Sequence, residues 1–142
     1  MKTNTIELYI HIPFCKSKCR YCDFCSFRAE EETIHSYLGK LKEELIFWGK
    51  KLAARDVVTV FIGGGTPSYL RREDIQMICE TIFEHFHICE DAEITIEANP
   101  GTVDLKKLCT YRENGINRIS FGLQSTVKEE LEYLGRIHTY EE

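Results

Sequence analysis

The chain has 142 residues, of which 43% are hydrophobic and 29% are charged, a composition typical of a soluble globular domain with its own core. Its formal net charge is −5, and because acids and bases are interspersed, no basic stripe for nucleic acid is formed. No apolar run reaches the roughly 18 residues of a membrane span, and residues 1–12 lack the apolar core of a signal peptide, so we expect a cytoplasmic protein.

Four apolar segments predict β-strands, and an amphipathic helix follows each of them. The predicted strands are residues 6–12, 57–62, 93–97 and 117–121. The predicted helices run over 33–52 and 72–87, then from a cap at Thr102, and then from a cap at Ser125 or Thr126. This alternation predicts an α/β fold with a parallel sheet, specifically a partial (β/α) TIM-type barrel of about four βα units. Since the fourth strand would be a bare edge, we expect the chain to be truncated.

Cysteine spacing gives the first specific signal. Four of the seven cysteines lie between Cys15 and Cys25, and a reducing compartment favours metal or redox chemistry over disulfides. A [4Fe–4S] cluster takes one thiolate per iron, so three thiolates at Cys15-x3-Cys19-x2-Cys22 would leave one iron open. S-adenosylmethionine (SAM) can chelate that iron through its amino and carboxylate groups. An electron delivered there would cleave the sulfonium and yield a 5′-deoxyadenosyl radical that abstracts hydrogen from a substrate.

A structural zinc site formed by Cys15, Cys19, Cys22 and Cys25 stays open as an alternative. Such sites close four ligands around one ion, usually as two C-x2-C pairs. The remaining cysteines, at positions 79, 89 and 109, are widely spaced and supply no second pair. The spacing therefore favours the cluster.

The unusual segments each follow a predicted strand directly. They are Cys15–Cys25, Gly63–Pro67, Glu97–Pro100 and Gly122–Ser125. Carboxyl ends of parallel strands share one face, where α/β folds bind ligands. Glycines without Cβ atoms would let the backbone approach such a ligand closely, although a plain tight turn would use them too. A phosphate loop would also need a Lys-Ser or Lys-Thr pair, and none follows.

Three polar side chains on this face suit SAM. The Glu97 carboxylate could bind ribose hydroxyls or the ammonium group, and Gln124 can both donate and accept hydrogen bonds. Arg136 offers a planar fork for a carboxylate. Each residue alone is more often a solvated surface residue, so the prediction depends on their common placement.

These motifs together resemble the oxygen-independent coproporphyrinogen III oxidase family of radical SAM proteins. The matching segments are Tyr9–Cys15 with the following C-x3-C-x2-C, Gly63–Pro67, Glu97–Pro100 and Leu134–His138. The resemblance spans almost the whole chain and implies that residues 1–142 are the N-terminal portion of a radical SAM core domain. It implies cluster ligands at Cys15, Cys19 and Cys22. It implies SAM contacts at Tyr9, Tyr21, Gly64, Gly65, Thr66, Glu97, Gln124 and Arg136.

Two branches of the family compete. The oxidase decarboxylates coproporphyrinogen III in porphyrin and heme biosynthesis and carries C-x3-C-x2-C-x-C behind a long N-terminal extension. Here two residues separate Cys22 from Cys25, and almost nothing precedes the first strand. The chain therefore resembles the heme chaperone branch, whose members bind heme and pass it to apoproteins. Cys25 is left outside the predicted site, and no catalytic residue is assigned.

The resemblance also implies partners. They are a reduced flavodoxin- or ferredoxin-type electron donor, heme as cargo or a porphyrinogen, and heme-accepting apoproteins. The later barrel strands and a C-terminal domain, with the heme-binding region, would lie outside this chain. A non-functional truncated fragment with inherited motifs is therefore the third interpretation.

Overall fold

The computed structural model describes residues 4–141, so the ends of the predicted 1–142 domain, residues 1–3 and 142, lie outside the described residues. Its strands are β1 (Thr5–Ile12), β2 (Asp56–Gly64), β3 (His87–Ala98) and β4 (Arg118–Phe121). Its helices are α1 (Glu31–Lys51), α2 (Arg72–His85), α3 (Leu105–Glu113) and α4 (Lys128–Leu134). The sheet order is β1-β2-β3-β4 with parallel pairing throughout. This confirms the predicted α/β fold with four βα units.

The hydrophobic core lies on one face of the sheet, because successive side chains of a strand point to opposite faces. The strand residues of this core include Ile10, Ile12, Val60, Ile62, Ile94 and Ile96. They pack with the buried helix residues Leu38, Leu41, Leu45, Ile75, Ile78 and Ile82. The opposite face carries the polar register, in which Tyr9 stacks on Phe61 at 6.2 Å between ring centroids.

Strand β3 is longer than the sequence predicts, since it begins at His87 rather than Glu93. Its amino-terminal part pairs with β2 through Asp56 opposite His87, and the register then shifts before Thr59 meets Glu93. Residues 89–92 of β3 lie at this register shift and have no partner in β2. They include the consecutive acids Glu90 and Asp91, which interrupt the alternation of apolar residues that predicts a strand. No helix within residues 4–141 is both long and apolar enough to cross a bilayer.

Two helix starts also differ from prediction. The N-cap of α3 is Asp104, whose Oδ1 accepts a hydrogen bond from the Lys107 backbone N–H at 2.7 Å. The Thr102 hydroxyl instead closes a turn by donating to a backbone carbonyl three residues earlier, at 2.6 Å. Helix α4 begins after Val127, whose N–H donates to the Ser125 hydroxyl at 3.0 Å. The Thr102 hydroxyl thus serves the preceding loop, whereas the Ser125 hydroxyl also donates to the Glu130 carboxylate within α4.

Tyr111 provides a stability prediction. Its ring is 1% exposed and its hydroxyl has no hydrogen-bond partner within residues 4–141, and burial raises its pKa. A buried hydroxyl without a partner costs about 1–3 kcal/mol. We expect Tyr111→Phe to raise the free energy of unfolding by about 1 kcal/mol in urea denaturation. Tyr140→Phe, at a 62% exposed position, should change nothing, and a destabilised Tyr111→Phe would contradict the prediction.

Candidate functional site

One cavity of about 270 Å³ opens at the carboxyl ends of the strands. The walls come from the cysteine loop, the glycine-rich loop after β2, and the segments that follow β3, β4 and α4. They include Cys15, Cys19, Tyr21, Cys22, Gly64, Gly65, Thr66, Glu97, Asn99, Gly122, Gln124, Arg136 and His138. All the residues predicted as cluster ligands or SAM contacts are therefore gathered here, with the exception of Tyr9.

Tyr9 lies outside the cavity wall. It pairs with Phe61 in the sheet register, three residues before β1 ends, and is 60% exposed. Its hydroxyl is 2.9 Å from Nδ1 of His11, whose ring lies against Gly64. Burial and the Glu97 charge raise the pKa of Tyr9. Tyr9 thus lies close to the cavity residue Glu97 and contacts His11, but it is not part of the cavity wall.

The three cysteines of the motif are free thiols, with Cys15 buried and Cys19 and Cys22 partly buried. Each sulfur lies near a polar group. The contacts are Thr66 Oγ1 to Cys15 Sγ at 3.5 Å, Arg136 Nη1 to Cys19 Sγ at 3.3 Å, and the Ser26 hydroxyl to Cys22 Sγ at 4.0 Å. These contacts hold the three sulfurs at the cavity wall.

The thiols do not converge on one point. Across residues 4–141 no three His, Cys, Asp or Glu side chains gather closely enough to hold a single metal ion. Cys25 is exposed and absent from the cavity wall, and its carbonyl is 3.0 Å from Nε2 of His11. A structural zinc ion needs four ligands around one centre, whereas a multi-iron cluster takes one thiolate per iron. Three free thiols at one cavity are consistent with a cluster.

The glycine-rich loop lies directly against the cysteine loop. It extends the β1–β2 pairing, because Gly65 N–H donates to Ile12 O and Thr66 N–H donates to Phe14 O, both at 2.8 Å. A Cβ added to Gly65 would come within 2.9 Å of Cys15 Sγ and 2.8 Å of the Phe14 carbonyl oxygen. Glycine is therefore required at this position for the two loops to touch.

Gly64 adopts φ +118°, a conformation that L side chains rarely adopt, and its N–H donates to Glu97 Oε2 at 2.9 Å. A Cβ here would also come within 2.6 Å of the His11 ring. We expect Gly64→Ala to lower the free energy of unfolding by about 1–3 kcal/mol, measured in urea. Gly39→Ala is the control, because nothing lies within 4 Å of a Cβ there and helix propensity favours alanine. Equal effects of the two changes would contradict the prediction.

Arg136 joins three loops at the cavity. Besides Cys19 Sγ, its guanidinium contacts Asn99 Oδ1 at 2.7 Å and the Gly122 carbonyl at 2.6 Å through Nη2. Its Nε is buried and has no partner among the described residues. A guanidinium at a cavity wall suits a carboxylate ligand, so Arg136 fits the carboxylate of SAM.

Asn99 is a site residue that sequence reasoning did not single out. It accepts from Arg136 and donates through Nδ2 to Thr66 Oγ1 at 3.0 Å. It thereby connects the loops after β2, β3 and β4 in one chain of hydrogen bonds that reaches two cysteine sulfurs. The sequence feature that could have identified Asn99 is its position in the segment Glu97–Pro100, directly after a strand.

Gln124 has a strained backbone, since its φ of +68° is unusual for a residue with a Cβ. The preceding carbonyl, from Leu123, lies 3.1 Å from Nε2 of His138, a side chain that is 6% exposed. Strain of this kind persists only where the surroundings hold it, and it is concentrated at functional sites. His138 lines the cavity and is a second site residue to which sequence reasoning gave no role, although it ends the matching segment Leu134–His138.

A half-buried lysine joins the loops after β2 and β3. Lys107 Nζ donates to the carbonyls of Ser68 and Thr102 at 2.6 Å and 2.9 Å, and burial lowers its pKa. The Ser68 and Thr102 hydroxyls lie 2.5 Å apart, and both approach Asn99 N–H at 3.3 Å. These bonds fix the loop after β2 to the loop after β3.

Comparison with known proteins identifies the family. Residues 9–142 match the sequence profile of the Radical SAM superfamily. The chain belongs to the radical SAM superfamily. Members of this superfamily use a [4Fe–4S] cluster and SAM, which together supply an electron and the sulfonium that it cleaves. In this chain Cys15, Cys19 and Cys22 would hold that cluster, and their free thiols at one cavity are consistent with it.

Curated relatives carry the name heme chaperone HemW. The protein of Escherichia coli K12 is 44% identical over 139 residues, which are 97% of this chain and 37% of that protein. The protein of Bacillus subtilis 168 is 39% identical over 131 residues, which are 92% of this chain and 35% of that protein. This chain thus spans about a third of the length of these relatives. The resemblance to the coproporphyrinogen III oxidase and heme chaperone family of radical SAM proteins, predicted from the sequence, is confirmed.

Solved structures agree on the fold. Coproporphyrinogen III oxidase (HemN) from Escherichia coli, described as a radical SAM enzyme, superposes with a TM-score of 0.91 at 33% identity, covering 98% of this chain and 32% of that one. Elp3 from Methanocaldococcus infernus reaches a TM-score of 0.55 at 14% identity, covering 98% of this chain and 33% of that one, and shares the fold alone. The high overlap with HemN confirms the predicted partial barrel.

Proposed function

We propose that residues 1–142 are the N-terminal portion of a radical SAM core domain in which Cys15, Cys19 and Cys22 hold a site-open [4Fe–4S] cluster. The observation that carries the proposal is that the three thiols share one cavity with the glycine-rich loop and with Arg136. SAM is the ligand proposed for the open iron. All seven cysteines are free, in keeping with the reducing cytoplasm that we propose as the location.

Four polar side chains of the cavity wall then have a proposed role in binding SAM. Arg136, whose guanidinium lies at the cavity wall, donates hydrogen bonds to the carboxylate. Glu97 faces the glycine-rich loop and provides the negative charge for the ammonium group or hydrogen bonds for the ribose. Gln124 and Tyr21 complete the set at the cavity wall.

We further propose that the site serves heme trafficking, as a heme chaperone of the HemW type. This is supported by the 44% and 39% identities to proteins of that name and by the two residues between Cys22 and Cys25. Heme is then the cargo, apoproteins are the acceptors, and a reduced flavodoxin or ferredoxin is the electron donor.

Oxidative decarboxylation of coproporphyrinogen III is the second candidate, favoured by the TM-score of 0.91 to HemN. Against it stands the exposed position of Cys25, which is one residue later than in the oxidase motif. A third candidate, an inactive fragment, predicts no cooperative fold. Hydrogen exchange that protects all four strands together would contradict it.

A chimera tests these candidates. In this chimera, the 142-residue chain takes the place of the matched 139-residue segment of the Escherichia coli heme chaperone. The unaltered Escherichia coli protein is the control. We expect the chimera to assemble a cluster, to bind heme and to leave coproporphyrinogen III unchanged under anaerobic reducing conditions. Decarboxylation without heme binding would favour the oxidase function over the chaperone function. A chimera without a cluster would contradict the proposed cluster ligands.

A further inference from the structure

The loop that carries the cysteines is basic although the chain is acidic. Between Cys15 and Cys25 lie three cations, Lys16, Lys18 and Arg20, and one carboxylate, Asp23, in a chain of net charge −5. The three cations are exposed. Within residues 4–141 none of them belongs to an ion pair. We call Lys16, Lys18, Arg20 and Phe24 the cluster-loop patch.

The contacts of these cations hold the loop without neutralising it. Lys18 Nζ donates to the Phe24 carbonyl at 3.2 Å, and Arg20 Nη1 donates to the Tyr133 carbonyl at 3.4 Å. Lys16 makes no hydrogen bond in the described part of the chain. Since carbonyls carry no net charge, the positive potential of the loop remains directed at solvent.

Exposed aromatic rings accompany the charges. Phe24 is 64% exposed and Tyr21 is 49% exposed. Aromatic side chains are enriched at the centres of protein interfaces, and charged side chains lie mainly at their rims. A patch with this composition favours a protein partner of opposite charge over a small anion, which would not cover the rings.

The patch is also adjacent to the thiols. Lys16, Lys18 and Phe24 line the same cavity as the three cysteines, and Cys19 and Cys22 are only partly buried. A protein docked on the patch would therefore lie at the side of the chain where the cluster ligands approach the surface.

We propose that the cluster-loop patch is the docking surface for an acidic one-electron carrier protein, an inference that depends on the cluster proposed above. One electron passes from the carrier to the cluster, so the carrier is oxidised by one and the cluster is reduced by one, with no bond made or broken. The exposed cations steer the acidic carrier to the cluster edge and increase the association rate.

Rapid mixing of the reconstituted chain with a reduced acidic flavodoxin tests the proposal. We expect the second-order rate constant of cluster reduction to fall on the order of tenfold when the ionic strength rises from ~0.05 M to ~0.3 M, because salt screens exposed charges. Lys16→Glu/Lys18→Glu should lower the low-salt rate constant on the order of tenfold. Lys16→Glu alone, which removes no contact, should lower it about threefold.

Lys42→Glu/Lys50→Glu is the matched control, since it reverses two exposed lysines of α1 that belong to no ion pair within the described residues. It should leave the rate unchanged. Photoreduced deazaflavin, a small neutral reductant, should reduce the cluster equally in all variants. If flavodoxin reduces the variants as fast as the parent while deazaflavin also works, the docking proposal is overturned and the cluster stands. If neither reductant yields a reduced cluster, the proposed function itself fails.

Discussion

Single replacement of Cys15, Cys19 or Cys22 by alanine is expected to leave the anaerobically reconstituted protein without a stable [4Fe–4S] cluster. With three protein thiolates on three irons, the loss of one leaves two irons without a protein ligand. We expect iron and sulfide to fall from about four each per chain to below about one, and the broad visible absorbance of the cluster to disappear.

Cys25→Ala is the matched control for these changes. Cys25 belongs to the same loop but is exposed and absent from the cavity wall, so iron, sulfide and absorbance should stay at parent levels. Circular dichroism of the apoproteins checks that each variant folds. Loss of the cluster in Cys25→Ala, with retention in any of the other three, would invert the ligand assignment.

Replacement of Arg136 by methionine is expected to weaken SAM binding to the reconstituted protein on the order of 10- to 100-fold, since hydrogen bonds to charged groups contribute about 1.5–3 kcal/mol. The change removes the unpaired Nε–H and also frees Asn99 and the Gly122 carbonyl, which Arg136 fixes at 2.7 Å and 2.6 Å. Arg136→Lys should restore little of the affinity, because an ammonium group cannot bridge three loops as a planar fork does.

The Arg136 variant has a second readout at the cluster. Arg136 Nη1 donates to Cys19 Sγ at 3.3 Å, and hydrogen bonds to cluster sulfurs favour the reduced, more negative state. The midpoint potential of the cluster should therefore be more negative in Arg136→Met than in the parent protein, as measured by redox titration. Arg118→Met is the control, since Arg118 pairs with Glu93 and lies outside the cavity wall. Unchanged SAM affinity and potential in Arg136→Met would show that the guanidinium serves the fold alone.

Much of the site could be predicted from sequence because its parts are local. The spacing of the cysteines, the run of glycines and the strand-ending segments each occupy a few consecutive residues. The rule that parallel strands share a carboxyl face then brings them together without coordinates. The same rule identified Glu97 and Gln124 as candidates before any distance was known.

The remaining features depend on contacts between residues far apart in the chain. The hydrogen bond from Arg136 to Cys19 spans 117 residues, and the Asn99 contact with Thr66 spans 33; neither leaves a periodic pattern. Tyr9 was expected at the cavity, and only the strand register shows that it lies beside Phe61, short of the strand end. His138 was recognised only from its contact with the Leu123 carbonyl, next to the strained backbone of Gln124.

The central claim is that three thiolates leave one iron open to SAM, and electron paramagnetic resonance of the reduced, reconstituted protein tests it most directly. The account predicts a [4Fe–4S] signal whose g-values shift when SAM is added, and no shift with 5′-deoxyadenosine, which lacks the amino and carboxylate groups that chelate iron, at equal concentration. A spectrum that ignores SAM, or a protein that binds tetrahedral zinc in place of iron, would contradict it.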